Sequence, residues 1–176
     1  TKKVEVAIST GVGFNNQLWA GTRRAYTVTG SHHFVDMNAD ARPDLVVIDE
    51  YWLRDYYGNP TQLKFRIYVH TNTGKNFAAE QLWKDDLDSM PEFSDINGDH
   101  RADLFVDGKY VYLNNGSGFD SQQDWQAPPG VLTEYNGDGL PDLNAYDPVT
   151  GYYKAYLNTG NRFMEHALSS YVTNID

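Results

Sequence analysis

The chain of 176 residues contains no cysteine, has no long apolar run and carries few positive charges. The missing cysteine excludes disulfides, thiolate metal sites and cysteine nucleophiles, and it leaves the redox compartment open. No segment approaches the roughly 18 apolar residues that a membrane span needs. Lysine and arginine number 14 against 24 acidic residues, which gives a net charge of -10. This balance argues against a nucleic acid or an anionic membrane surface as partner, and the lack of a long apolar run argues against membrane insertion.

The residues that are present indicate a folded domain. Hydrophobic residues make up 40% of the chain and aromatic residues 14%, and the length is enough for one sizeable core. The first residues, TKKVEVAIST, lack the apolar core of a signal peptide. We therefore expect any export signal to lie outside this chain.

An acidic segment occurs three times, as DMNADARPD at 36–44, DINGDHRAD at 95–103 and EYNGDGLPD at 134–142. We call these the first, second and third acidic loops and count their positions from 1 to 9. Each loop has an acidic residue at positions 1, 5 and 9 and asparagine at position 3. A leucine follows each loop immediately. Agreement of this length indicates an internal repeat.

A second repeated phrase, which we call the glycine turn, has its glycine at Gly11, Gly74, Gly116 and Gly160. A phenylalanine follows each of these glycines within three residues. Beyond the first three of these phenylalanines lies a tryptophan, at Trp19, Trp83 and Trp125. Recurrence at one place in the repeat predicts that these tryptophans pack between repeats.

The segments between the two phrases are rich in Val, Ile, Tyr and Phe, and no segment keeps a helical period over ten residues. Four strands in about 40 to 45 residues match the size of a β-propeller blade. We predict an all-β chain of antiparallel four-stranded blades, three complete and one partial. The predicted segments are 1–25 as the end of a preceding blade, then blades at 26–87 with an insertion at 51–63, at 88–128 and at 129–176. Because an unclosed propeller exposes sheet edges, we expect further blades of the same propeller or a second chain to complete it.

The acidic loops have the donor chemistry of calcium sites. Calcium takes six to eight oxygen ligands, and side chains at positions 1, 3, 5 and 9 with the carbonyl of position 7 supply hard oxygens within one short loop. Without a cation, three carboxylates in nine residues repel one another. The predicted ligands of about three ions are Asp36, Asn38, Asp40, Arg42 and Asp44; Asp95, Asn97, Asp99, Arg101 and Asp103; and Glu134, Asn136, Asp138, Leu140 and Asp142.

Three other interpretations of the loops compete with calcium. A polar turn between strands explains one such loop as well as calcium does, but three copies in register favour a site. An EF-hand needs a glutamate at position 12, where this chain has Val47, Val106 and Ala145. Magnesium demands a rigid octahedron, which suits a carbonyl-containing loop less well.

Three divalent ions would bring the net charge from -10 to about -4.

The loop D-x-N-G-D-x-x-x-D-L, followed by Y-L-N-x-G-x-x-F, resembles the FG-GAP/VCBS-type repeat of calcium-binding β-propellers. That family includes integrin α-subunit propellers, fungal propeller lectins and propeller modules of bacterial secreted toxins and polysaccharide-active enzymes. The resemblance covers residues 4–163 and implies calcium in the loop that joins the first two strands of each blade. The chain departs from the pattern at Ala39, where the other loops have glycine, and at Glu134, whose extra methylene shifts the first ligand.

Few residues outside the loops suggest a binding or catalytic role. Tyr51, Trp52, Tyr56 and Tyr57 lie in the predicted insertion, where aromatic faces suit sugar rings or protein contacts. The alternative is a hairpin whose aromatic side chains cover its own blade. None of the five histidines falls in a triad or zinc motif, and the repeated carboxylates leave no distinctive pair for glycoside hydrolysis.

The sequence thus predicts a calcium-binding propeller module of a secreted or cell-surface protein. We expect it to act as an adhesion or recognition scaffold whose loops bind a glycan or a cell-surface protein. The alternatives are the propeller domain of a secreted polysaccharide-active enzyme and a structural shell of a toxin component.

Overall fold

The structure, a computed structural model, describes residues 2–22 and 31–166. In this part the chain is all-β, as predicted, with no helix that could cross a membrane. The strands are β1 Lys2–Ser9, β2 Phe14–Thr22, β3 Ser31–Val35, β4 Asp44–Arg54, β5 Pro60–His70, β6 Gln81–Leu87, β7 Glu92–Ser94, β8 Asp103–Val106, β9 Tyr110–Tyr112, β10 Gln123–Asp124, β11 Gly130–Thr133, β12 Asp142–Asp147, β13 Tyr152–Asn158 and β14 Phe163–His166. The predicted boundary at 25 and 26 and the last ten residues of the third predicted blade lie outside the described residues.

The strands form one hairpin and three four-stranded sheets. β1 pairs with β2, and the sheets have the orders β3-β4-β5-β6, β7-β8-β9-β10 and β11-β12-β13-β14. Every pairing is antiparallel and joins strands that are consecutive in the chain. Within the described residues no sheet closes on itself. The assembly of the three four-stranded sheets as propeller blades stays a prediction.

The segment predicted as an insertion is the outer half of the β4–β5 hairpin. Both strands are 11 residues long and pair from Leu45 opposite His70 to Arg54 opposite Pro60. A tight turn closes the hairpin, in which the Asp55 N–H donates to the Asn59 carbonyl at 2.9 Å. The extra residues therefore lengthen two strands of the first sheet.

The chain divides into two compact units. The first unit consists of Thr1–Met90 with Gly116–Gly118, and the second of Pro91–Asn115 with Phe119–Asp176. In the first unit a core around Leu45, Val47, Tyr68 and Phe77 receives three partly buried side chains of the β1–β2 hairpin, which are Val4, Val6 and Trp19. The second unit has a core to which both of its sheets contribute, made of Ile96, Phe105, Val111, Trp125, Ala127, Leu143, Ala145, Tyr156 and Phe163.

The packing role predicted for the recurring tryptophans is confirmed for two of them. In the first unit the Trp19 ring lies 5.3 Å from the Phe77 ring, and in the second unit Trp125 lies 5.5 Å from Phe163. Each phenylalanine N–H also donates to the carbonyl of its tryptophan at 3.3 Å. Each pair joins the last strand of one sheet or hairpin to the glycine turn of the next.

A glutamine two residues before each tryptophan accepts a hydrogen bond from the indole N–H. The pairs are Trp19 with Gln17, Trp83 with Gln81 and Trp125 with Gln123, at 3.3, 3.4 and 3.0 Å. The sequence analysis missed this Gln-x-Trp pattern, although it is visible in the sequence.

Candidate metal centre

Each acidic loop connects the first and second strands of its sheet. Position 1 follows directly after β3, β7 or β11, and position 9 is the first residue of β4, β8 or β12. The strands therefore fix both ends of the loop, and the residues between them form a compact turn.

The carboxylate at position 1 organises the turn by accepting backbone hydrogen bonds. One oxygen of Asp95 accepts the N–H of His100 at position 6 at 2.8 Å, and the other accepts the N–H groups of Gly98 and Asp99. Asp36 accepts the position-6 N–H of Ala41 in the same way at 2.7 Å. Glu134 accepts the corresponding N–H of Gly139 at 3.2 Å. The longer glutamate thus makes the same position-6 contact as the aspartates.

Positions 3, 5 and 7 repeat a second set of contacts in all three loops. In the second loop the Asp99 N–H donates to Asn97 Oδ1 at 3.0 Å, and the Arg101 N–H donates to Asp99 Oδ1 at 2.9 Å. The Asn97 side-chain amide also donates to Asp99 Oδ2 at 3.2 Å. The equivalent bonds occur in the first and third loops. The oxygens predicted as ligands at positions 1, 3 and 5 therefore lie on one compact turn.

This turn requires a left-handed backbone at positions 4 and 6. The φ angle is +62° at both Ala39 and Ala41, and +67° at His100. The third loop has glycine at both positions, where this conformation is free of strain. The departure from glycine at Ala39 therefore has a conformational cost, and the same cost applies at position 6, which the sequence analysis did not consider.

The aspartate at position 9 joins the acidic loop to the glycine turn. Asp44, Asp103 and Asp142 are 0% exposed. One oxygen of each accepts the N–H of position 2, at 3.0, 2.9 and 2.9 Å. The other oxygen accepts the N–H of the asparagine that begins the glycine turn, at 2.6, 2.7 and 2.8 Å. The three buried carboxylates therefore have the same structural partners.

The asparagine of the glycine turn completes this junction and was missed by the sequence analysis. The side chains of Asn72, Asn114 and Asn158 each donate to the carbonyl of position 8 at 3.0 Å. Two backbone segments that are distant in sequence are thereby held side by side. We call the position-9 aspartate and this asparagine the Asp–Asn clamp.

An arginine at position 7 distinguishes the first two loops from the third. Arg42 and Arg101 each place Nη2 2.6 Å from the position-5 carboxylate, and each Nε donates to the carbonyl of the clamp asparagine. The third loop has Leu140 at this position. Asp138 therefore has no arginine within its own loop, while Asp40 and Asp99 do.

The pKa values in the loops reflect burial and crowding of charge. Burial raises the pKa of Asp103 to about 6, with the nearby charge of Asp99 adding to the rise. The pKa of Asp44 is raised for the same reasons, by burial first and then by Asp40 and Asp36. Burial also acts to raise the pKa of Asp40, but hydrogen bonds from Arg42 and Asn38 outweigh it and leave the value lowered.

The chemistry of the donors fits a hard divalent cation. Carboxylate and amide oxygens have two lone-pair directions, and Asp95 Oδ2, Asn97 Oδ1 and Asp99 Oδ1 each accept one N–H, which leaves capacity for a cation. All side-chain donors at positions 1, 3, 5 and 9 are oxygen atoms, the kind that calcium prefers. No group of three or more His, Cys, Asp or Glu side chains in residues 2–22 and 31–166 is gathered around a single metal position. A cation in one of these loops would therefore need the asparagine side-chain oxygen as a ligand in addition to the carboxylates.

The four aromatic candidates do not form one cluster. The Tyr51 hydroxyl donates to Asp85 at 3.0 Å, and the Arg66 guanidinium lies 3.7 Å from the centre of its ring. Trp52 follows Tyr51 on the same strand, so it points to the opposite face, where it is 53% exposed. Tyr56 and Tyr57 lie in the turn with their rings 5.4 Å apart, 97% and 84% exposed. The tyrosine pair at the turn and Trp52 are the accessible aromatic surfaces of this hairpin.

Comparison of the chain with models of protein families, with curated proteins and with solved structures gave no match.

Proposed function

We propose that the chain is a calcium-binding repeat module, with FG-GAP/VCBS-type blades, that serves as a recognition scaffold in a secreted or cell-surface protein. Calcium would be held by the oxygens at positions 1, 3, 5 and 9 and the carbonyl at position 7 of each loop. A bound divalent cation supplies the positive charge that offsets the carboxylates crowded there.

The observation that carries this proposal is the threefold recurrence of one hydrogen-bonded turn around the same oxygen donors. A polar turn that only connects strands is served by Gly, Asn, Asp or Ser at its turn positions and needs no repeated set of three acidic side chains. These loops keep acidic side chains at positions 1, 5 and 9 in every copy, at the cost of mutual repulsion. A cation site gives that costly arrangement a physical reason.

The consequence for the scaffold follows from the Asp–Asn clamp. Because the clamp joins each loop to a glycine turn by hydrogen bonds, a cation that fixes the loop also stabilises the second and third strands of the sheet. Calcium binding to the folded chain stabilises it by mass action, since an unfolded loop does not present the ligands together. Calcium ions in these loops would increase folding stability, and exposed surfaces elsewhere on the chain would bind the partner.

The recognition surface that we propose is the end of the β4–β5 hairpin. Tyr56 and Tyr57 expose their rings at the turn, and Trp52 exposes part of its ring on one face of the hairpin. Aromatic rings with polar atoms at their edges suit the apolar faces of sugars and also protein contacts. A glycan or a cell-surface protein is therefore the partner class proposed for this hairpin.

The calcium proposal is tested by thermal unfolding in calcium and in EDTA. We expect chelation to lower the melting temperature of the wild-type chain by several degrees. Asp99→Ala should reduce that difference because it removes a ligand, whereas the exposed control Asp120→Ala should preserve it. Equal melting temperatures of the wild-type chain in calcium and in EDTA would refute the proposal.

The recognition proposal is tested separately with a glycan array and a panel of cell-surface proteins. We expect Trp52→Ala and Tyr56→Ala to lose the binding that the wild-type chain shows. Tyr152→Ala is the matched control, because this tyrosine is 74% exposed but lies on β13 in the third sheet. Binding that survives both hairpin variants would place the contact surface elsewhere.

A further inference from the structure

The β1–β2 hairpin corresponds to the second half of the repeat. Alignment on the glycine turn matches β1 to β5, β9 and β13, each of which pairs with a strand on both sides. Among the described strands, β1 pairs only with β2. In β5, β9 and β13, the edge equivalent to the side of β1 that faces away from β2 pairs with the second strand of the sheet.

The second unit shows what normally covers the face beside this edge. Ile96, at position 2 of the second acidic loop, is fully buried in one cluster with Trp125 and Phe163. The Asn158 side chain donates to the Ile96 carbonyl at 2.8 Å. Leu132, two residues before the third loop, packs against the same cluster. The loop of one sheet thus covers the Trp–Phe pair that leads into the next sheet.

The first unit has the same Trp–Phe pair beside an open groove of about 400 Å³. Its lining includes Val4, Val6, Trp19, Phe34, Asn72 and Phe77. Phe34 is the counterpart of Leu132, yet it is 60% exposed. Asn72 is the counterpart of Asn158. The groove therefore lies where the second unit places a buried position-2 side chain.

The pairing register specifies how a strand would add to β1. The leucine after each acidic loop pairs with the residue four places before the turn glycine, as Leu45 with His70, Leu104 with Tyr112 and Leu143 with Tyr156. The same place in β1 is Ala7. The Thr10 N–H donates to the Gly13 carbonyl, so antiparallel alternation directs the backbone groups of Ala7 and Ser9 away from β2. Ser9 stands where the other turns have the clamp asparagine.

We propose that the β1 edge and this groove bind a polypeptide segment with the chemistry of the first half of the repeat. The segment is an acidic loop with an apolar residue at position 2, followed by Asp-Leu and a short apolar strand. Its position-2 side chain fills the groove between Trp19 and Phe34, and its position-9 aspartate accepts the Ser9 N–H. Its leucine pairs with Ala7. A four-stranded sheet results.

A second copy of the chain is a poor source of this segment. Each of its three acidic loops already belongs to a four-stranded sheet. Donating one would therefore require that sheet to open, with loss of its buried aspartate clamp. The partner that the surface fits is a segment of this chemistry that is not already held in a sheet.

The test joins a copy of residues 91–108 to Val4 of the full chain in place of residues 1–3. This junction reproduces the tight turn between β8 and β9, because Gly108 and Lys109 align with Lys3 and Val4. The linked copy acts at high effective concentration, so weak affinity does not hide the interaction. We expect the melting temperature to rise by several degrees and amide exchange of residues 4–9 to slow at least tenfold.

The control is the same fusion with Ile96→Asp and Leu104→Asp introduced in the added copy alone. This copy keeps the linker and the acidic loop but cannot fill the groove or place its strand. We expect it to leave both the melting temperature and the exchange of residues 4–9 as in the original chain. Equal exchange of these residues in the two fusions would overturn the proposal.

Discussion

The backbone N–H of Asn114 donates to Oδ1 of Asp103 at 2.7 Å, and both side chains are almost fully buried. This bond joins the two phrases that repeat along the sequence, the acidic loop and the glycine turn. The second oxygen of Asp103 accepts the Ile96 N–H at 2.9 Å. A residue predicted as a metal ligand therefore also has a structural role that needs no metal.

The clamp predicts that Asp103→Asn destabilises the chain even without calcium. The amide keeps the shape of the side chain but turns one acceptor into a donor that faces a backbone N–H. We expect a loss of about 2 kcal/mol in the free energy of unfolding, measured with urea in EDTA. Asp120→Asn, at an exposed site, should change it by less than about 0.5 kcal/mol. Similar values for both variants would show that the clamp contributes little.

The left-handed backbone at Ala41 predicts that glycine there stabilises the first loop. Alanine in this conformation costs roughly 1 to 2 kcal/mol, and glycine removes that strain while adding some flexibility to the unfolded chain. We expect Ala41→Gly to raise the free energy of unfolding by about 1 kcal/mol. The control is Ala79→Gly, at an exposed residue without a positive φ, which should lower it by about 0.5 to 1 kcal/mol. A loss of stability in both variants would contradict the backbone argument.

Arginine at position 7 predicts unequal sensitivity of the loops to chelation. The Arg101 guanidinium partly neutralises Asp99 and is about one-third exposed, so Arg101→Leu should cost up to about 1 kcal/mol in EDTA. The gap in melting temperature between calcium and EDTA should widen, because a bound cation replaces the lost charge. Leu140→Arg should narrow the gap by supplying a cation to the third loop. The exposed control Arg162→Leu should leave the gap unchanged, and an unchanged gap in Arg101→Leu would refute this role.

Trp125 and Trp52 differ in burial, so their replacement by alanine should lower the free energy of unfolding by different amounts. Trp125 is 3% exposed and packs on Phe163, so Trp125→Ala should lower the free energy of unfolding by about 3 to 5 kcal/mol. Trp52 is 53% exposed, so Trp52→Ala should cost less than about 1 kcal/mol. Urea unfolding of both variants checks the difference. Comparable losses would mean that Trp52 is a core residue and a poor candidate for recognition.

Local patterns predicted the secondary structure well. Runs such as DLVVIDEYW and YYKAYLN follow strand preference, and the glycines and asparagines between them mark turns. The hairpin at the beginning was also predicted from VEVAIST, which ends one residue beyond β1, and from QLWAGT, which lies within β2. Such signals act over a few residues, so they are readable without tertiary information.

The Asp–Asn clamp was not predictable in the same way. The separation from the position-9 aspartate to its asparagine is 28 residues in the first sheet, 11 in the second and 16 in the third. The hairpin between them varies in length, so no fixed spacing marks the pair. Only the strand register brings the two residues together.

The contacts of Tyr51 depend on tertiary structure for the same reason. Its partners Asp85 and Arg66 come from β6 and β5, respectively, and the sequence shows only that a tyrosine lies in an aromatic segment. Sequence reasoning grouped Tyr51 with Trp52, whereas strand alternation separates their side chains. Exposure of Tyr56 and Tyr57 could have been expected from the turn residues Gly58 and Asn59.

The assignment of the acidic loops as calcium sites is tested most directly by isothermal titration calorimetry of the folded chain with calcium. Native mass spectrometry then gives the number of bound ions. We predict saturable binding of about three ions to the wild-type chain and one fewer to Asp99→Ala, with Asp120→Ala unchanged. A folded chain that binds no calcium at millimolar concentration, or that loses no ion when Asp99 is replaced, would contradict the assignment of the acidic loops.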